Sequence, residues 1–225
     1  MVIVNLVINN IGLDYYSFIF KSIVDKYFKY CDEWDKLCDK KINLNKKQIC
    51  DIYNLKNGEI VSEFKDYIDS FSEIAEDLKF ELLCDLGENV EFTEDFKFTS
   101  RIKTRESLIQ KILKKMREDD GKFSIKKCIN DLLGLRIIDI DYKDNKEHID
   151  SILEELKSNG INIRNIERNL STGYKAYHIY IIRNNNTFPI EVQIWDKEHE
   201  EKNIELHSKH KEEYVKDIIE DYNKY

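Results

Sequence analysis

The spacing of apolar residues changes period near residue 98, and that change restricts what the chain can become. Upstream, Tyr16, Phe20, Ile23, Val24, Tyr27, Phe28 and Cys31 fall three or four apart, one face of a helix over 13–40. Ile60, Phe64, Tyr67, Ile68, Phe71, Ile74, Ala75, Leu78 and Leu82 repeat the pattern over 58–83, after a polar connection around 40–57. Downstream, a helix at 105–118 precedes "LLGLRIIDID", an apolar run that reads as a buried strand. A helix at 144–158, opened by Asp144, and strands near 161–168, 174–183 and 188–195 follow, before a charged helix at 197–222. The lone proline, Pro189, stands at a strand start, where a missing amide donor is tolerated. The expected fold class is therefore α/β (α+β), a mixed β-sheet packed by helices. A helical N-terminal region (1–95) precedes a sheet domain with a C-terminal helix (96–225).

Charge narrows the partners. A net charge of −8 disfavours broad, nonspecific binding to nucleic acid or an anionic membrane, while leaving room for a local basic site. The opening "MVIVNLVINN" lacks the basic start of a signal peptide, and no apolar run reaches membrane-span length. Cys31, Cys38, Cys50, Cys84 and Cys128 show no metal-ligand spacing and read as reduced thiols. A cytoplasmic protein without a membrane partner is expected.

Three stretches carry chemistry. In "RIKTRESLIQKILKKMR", Leu108, Ile109, Ile112, Leu113 and Met116 form a buried stripe. Lys103, Ser107, Lys111 and Lys114 would align on another face if the helix begins near Lys103. A solvated face is the commoner role of a lysine stripe; the alternative is a cradle for phosphates. In "DLLGLRI", Asp131 precedes the strand, Gly134 permits a turn or a close approach, and Arg136 interrupts an apolar run. Asp131 alone suits a turn, whereas a buried Arg136 demands a partner, either a carboxylate or a ligand.

The third stretch is "STGYKAYHIYIIRNNNTFPIEVQIW", two strands about an asparagine-rich turn. Tyr174, Ala176 and His178 share one face of the first strand, as do Glu191, Gln193 and Trp195 on the second. Ile190, Val192 and Ile194 then face the core. A turn of two or four residues at 184–187 brings the polar sets together, whereas an odd loop separates them unless a bulge restores register. A solvent-facing edge would explain Glu191 and Gln193 but sits poorly with Trp195. Asp131 and Glu191, with a basic helix beside them, match what Mg²⁺ takes from protein when phosphates and water supply its remaining ligands.

Arg101-x-Lys103, Ser107, Lys111, then Asp131-x-x-Gly134-x-Arg136, Gly173-Tyr174-x-x-x-His178 and Glu191-Val192-Gln193-Ile194 resemble the synthetase domain of RelA/SpoT proteins across roughly 98–214. The resemblance implies a nucleotidyltransferase-like fold that moves the β,γ-pyrophosphate of ATP to the 3′-hydroxyl of GDP or GTP, making (p)ppGpp alarmones. It places Arg101 and Arg136 about the adenine, and Lys103 and Lys111 on ATP phosphates with Ser107 in support. Asp131 and Glu191 become the Mg²⁺ carboxylates, with Glu191 also helping to deprotonate the attacking hydroxyl. Tyr174 would stack on the acceptor guanine, with His178 and Gln193 lining that pocket and His207, or in its place His210, reaching in from the terminal helix.

The chain departs from the family wording on the acceptor side: Trp195-Asp196 replace Arg-Thr, and Ser171-Thr172 replace a lysine and asparagine. No His-Asp pair of the family's hydrolase domain occurs in the helical first half, so a stand-alone synthetase is expected. Two other functions compete: a toxic synthetase that pyrophosphorylates the 3′ end of tRNA, and an inactive module that binds guanine nucleotides. Residues 1–95 are compatible with docking, homo-oligomer contacts or an antitoxin partner.

Overall fold

The computed structural model describes residues 14–54, 58–118 and 120–209. Helix α1 (Tyr15–Leu37) opens where the Asp14 carboxylate caps the Ser17 amide at 3.1 Å. It packs along α2 (Ser62–Asn89), with the ribbon β1 (Tyr53–Asn54) and β2 (Glu59–Ile60) between them in sequence. Strand β3 (Phe96–Ile102) leads to α3 (Arg105–Glu118), the short α4 (Ile125–Cys128) and β4 (Leu133–Asp139). Helix α5 (Tyr142–Ser158), β5 (Asn162–Asn169), β6 (Lys175–Ile182) and β7 (Ile190–Asp196) follow, and residues 200–209 are helical.

The five long strands form one sheet in the order β3-β4-β7-β6-β5. Only β4 and β7 run parallel; the other pairs are antiparallel, so the sheet is mixed, as expected. One face carries Leu133, Leu135, Ile137, Tyr177, Ile179, Ile181, Ile190, Val192 and Ile194 into a core shared with α1, α2, α3 and α5. The helical first part and the sheet thus bury a common core.

That first part also grips the β6–β7 connection. Arg183 meets Asp32 through two hydrogen bonds of 2.8 and 3.0 Å, and Asn184 Nδ2 donates to Asp35 Oδ2. The Leu44 amide donates to Asn185 O at 2.8 Å, Tyr67 Oη to Asn186 O at 2.6 Å, and Tyr27 Oη to Phe188 O at 2.7 Å. Within the loop, Asn184 Oδ1 accepts from the amides of Asn186 and Thr187, a turn that asparagine forms with its own backbone.

The structure shifts several boundaries. Helix α2 continues to Asn89, and α5 begins at Tyr142, two residues before the expected Asp144. Strand β3 lies where no strand is read, although Phe96 and Phe98 alternate with Lys97 and Thr99. Helix α3 starts at Arg105, so Lys103 precedes it; Thr104 Oγ1 accepts the Ser107 amide at the entry. Gly134 sits within β4 rather than at a turn, and a Cβ there would meet Arg101 at an ordinary 3.7 Å. The opening decapeptide, His210 and the expected helix beyond 209 lie outside the described residues.

Candidate active site

The other sheet face is built from rows of paired residues. Arg101 of β3 pairs with Gly134, Gly134 with Glu191, Glu191 with Tyr180, and Tyr180 with Arg164 of β5. One pleat further along, Thr99, Arg136, Gln193, His178 and Ile166 form the adjacent row. With strands about 4.8 Å apart, such a row spans about 19 Å, wide enough for two nucleotides side by side. The register pairs Ile181 with Ile190, leaving eight residues between them. The loop is longer than the turn expected at 184–187 but equally even, so the two polar sets meet on one face.

A cavity of about 660 Å³ opens on this face. Its lining joins Arg101, Lys103, Ser107, Lys111 and Asp131 to His178, Glu191, Gln193 and His207. Arg136 lines a smaller adjoining slot with Arg101, Gly134, Glu191 and Gln193. Among the described residues, the cavity wall holds six cations (Arg101, Lys103, Lys111, Lys114, Lys127, Arg168) against the carboxylates of Asp131 and Glu191. In a chain of net charge −8, that net surplus of four positive charges is concentrated where a polyphosphate would fit. An equally large groove between α1 and α2 carries Asp39, Glu63, Asp66 and Glu73 against Lys40 alone, the wrong sign for such a ligand.

Lys103, Ser107 and Lys111 therefore line a cavity, with Lys114 half exposed at its edge. Lys103 Nζ donates to Asp131 Oδ2 at 2.8 Å and Lys111 Nζ to Oδ1 at 3.0 Å. Burial pushes the Asp131 carboxyl up, but Lys111 and Lys103 together draw it down to about 2. Burial and the charge of Asp131 push the carboxyl of Glu191, 5% exposed, upward, but His178 and Tyr180 together hold it below the ordinary carboxylate range. Both acids are ionised at neutral pH, and each lies within the other's field.

Glu191 anchors a hydrogen-bonded chain. Its Oε2 accepts from Gln193 Nε2 at 2.8 Å, and its Oε1 lies 2.9 Å from His178 Nδ1. His178 Nε2 is 2.9 Å from Tyr174 Oη. Burial and the Glu191 charge raise the Tyr174 phenol to about 12, so it keeps its proton. Because a carboxylate only accepts, His178 donates to Glu191 from Nδ1.

Tyr174 is not among the cavity-lining residues. Its ring is buried with Ile138, Ala176, Trp195 and Leu206, edge-on to Trp195 and His207. His207 lines the cavity and stacks on Trp195, with centroids 5.5 Å apart and planes at 16°. Burial and the nearby Arg136 and Arg101 charges lower its pKa to about 4, so it is neutral. Sequence reasoning missed Arg168, Tyr180, Lys127, Asn130 and Gln110 in the lining. Tyr180 was recoverable, two residues beyond His178 on the same face; Arg168 needed the β5–β6 register, which pairs it with Ala176.

The family description "Region found in RelA / SpoT proteins" matches residues 100–217, just over half the chain. The chain belongs to the RelA/SpoT family. The matched region begins within β3 and takes in every candidate site residue of the cavity. Among solved structures, the chain is similar to a GTP pyrophosphokinase family protein from Streptococcus pneumoniae, at 20% identity, with a TM-score of 0.43 over 68% of this chain and 80% of that one. It is also similar to the small alarmone synthetase 1 from Bacillus subtilis bound to its product pppGpp, at 18% identity and TM-score 0.42 over 66% and 81%. No curated protein matches the sequence. Among the described residues, no helix is long and apolar enough to cross a membrane.

Proposed function

We infer that this RelA/SpoT protein is a Mg²⁺-dependent pyrophosphotransferase that moves the β,γ-pyrophosphate of ATP to the 3′-hydroxyl of GDP or GTP. The observation that supports this most is the cavity itself, a net-positive wall around two ionised carboxylates in an otherwise acidic chain. Phosphoryl-type transfer needs positioning and charge neutralisation more than covalent help from protein, and this lining is suited to both.

Lys103 and Lys111 would trade their bonds to Asp131 for donor phosphate oxygens, with Ser107 and Lys114 along the same wall. Asp131 and Glu191 fit a Mg²⁺ site by donor chemistry, both being ionised oxygen ligands facing one cavity. Such an ion would neutralise charge developing on the transferred group. Glu191, held by His178 and Gln193, would accept the hydrogen bond of the attacking hydroxyl. The acceptor would lie toward β6 and β5, over His178 and Tyr180 and beside Arg168, with the donor toward β3 and β4. The cytoplasm, where both nucleotides are abundant, is the expected place of action.

Incubation with γ-labelled ATP and Mg²⁺, separately with GDP, GTP and uncharged tRNA, tests this reading. Label on a guanine nucleotide is expected. Label on tRNA alone would replace the acceptor, and nucleotide binding without transfer would make the protein a binding module.

A further inference from the structure

Arg136 poses a physical problem. It is half-buried on β4, and although Glu191 and Glu200 favour its charge from a distance, it forms no ion pair among the described residues. Burial and the neighbouring Arg101 charge lower its pKa to about 10, so it stays protonated in unfavourable surroundings. Its Nη2 reaches Gln193 Oε1 at 3.4 Å, a long contact, and its Nε has no hydrogen-bond partner among the described residues. What it does have is an indole: its Cζ sits 3.6 Å from the centre of the Trp195 ring. A guanidinium over a tryptophan face is a favourable cation–π arrangement, tryptophan being the best of the aromatic partners. Trp195, expected on the acceptor side, is instead fully buried against Arg136, lines neither the cavity nor the slot, and is itself stacked by His207.

The geometry points to Trp195 as a positioning residue that fixes Arg136 for the adenine ring of the donor. The indole occupies one face of the guanidinium, leaving the rest of the group on the slot shared with Arg101. Two guanidiniums about one slot, with Glu191 on its wall but not paired to Arg136, form a site where a flat, electron-rich base can stack. A purely structural residue at 136 would be apolar, since a buried cation without a carboxylate costs stability and fills no space that leucine or methionine could not. The inference rests on the proposed function, because it takes the slot as the donor-base site.

The test is calorimetric binding of α,β-methylene-ATP to wild type, Trp195→Leu, Trp195→Phe, Arg136→Lys and the Trp195→Leu/Arg136→Lys double variant. Transfer kinetics are measured on the same proteins. Trp195→Leu is expected to weaken analogue binding roughly 3- to 30-fold and raise KM for ATP alike, with kcat nearly unchanged. Trp195→Phe, which keeps an aromatic face, should fall between, and it carries the test if the leucine variant does not fold. Because Trp195 acts through Arg136, the double variant should bind no worse than Arg136→Lys alone. Folded Trp195→Leu or Trp195→Phe with wild-type affinity would overturn the assignment, as would additive losses in the double variant. If wild type binds the analogue but transfers nothing, the proposed function falls while the binding series still decides the role of Trp195; if wild type binds no analogue, both fall.

Discussion

Replacing Asp131 with asparagine removes the one carboxylate that both Lys103 and Lys111 contact, so the fold itself should register the change. The side chain is 13% exposed, and its pKa falls from an ordinary 3.8 to about 2. At 1.36 kcal/mol per pH unit, the ionised form stabilises the native state by about 2 kcal/mol. Because the folded-state value is depressed, this contribution is fully present above the unfolded value near 4 and is lost as pH falls through about 2; roughly half remains at pH 3. The assay is urea denaturation of wild type and Asp131→Asn at pH 7 and again near pH 3, under conditions where both are folded in the absence of urea. The variant should be less stable by about 1–2 kcal/mol at pH 7, and the gap should narrow by about half at pH 3. Transfer by the variant should fall at least about 100-fold with its far-UV spectrum unchanged. A variant as stable as wild type at pH 7, or a gap independent of pH, would refute the idea that this acid neutralises both lysines.

Glu191→Gln should keep the fold and lose transfer about 100-fold or more, measured as labelled product under saturating substrates; near-wild-type turnover would remove Glu191 from the reaction. Arg168→Ala should raise KM for the guanine nucleotide several-fold while leaving ATP-analogue affinity unchanged, because Arg168 lies on β5, the strand farthest from β3. Tyr67→Phe deletes the hydroxyl that donates to Asn186 O in the β6–β7 loop and should lower the urea midpoint by an amount equivalent to about 1 kcal/mol without altering ATP-analogue affinity.

The order of elements and the face of each strand could be read locally, because a strand alternates every residue and a helix returns every three or four. That is why Tyr174, His178, Glu191 and Gln193 could be assigned to matching faces, and why the lysines near α3 stood apart from its buried stripe. Pattern was weaker where nothing is deeply buried: β3 has only partly buried or exposed residues and went unread. Pattern also cannot say which of two buried aromatic positions borders the cavity. Tyr174 and Tyr180 look alike in alternation, yet Tyr180 lines the cavity while Tyr174 is shut in against Trp195 and His207.

Alternation along the chain settled which residues could share a surface; pairing between distant segments decided which of them meet. Asp131 and Glu191 lie sixty positions apart, and they reach one cavity because β4 runs parallel to β7, a pairing that needs α5, β5 and β6 to carry the chain back. The even loop that keeps the polar faces together is held by α1, α2 and the segment around Leu44. Those contacts depend on burial and hydrogen-bond geometry over more than a hundred residues, a range at which no local periodicity carries information.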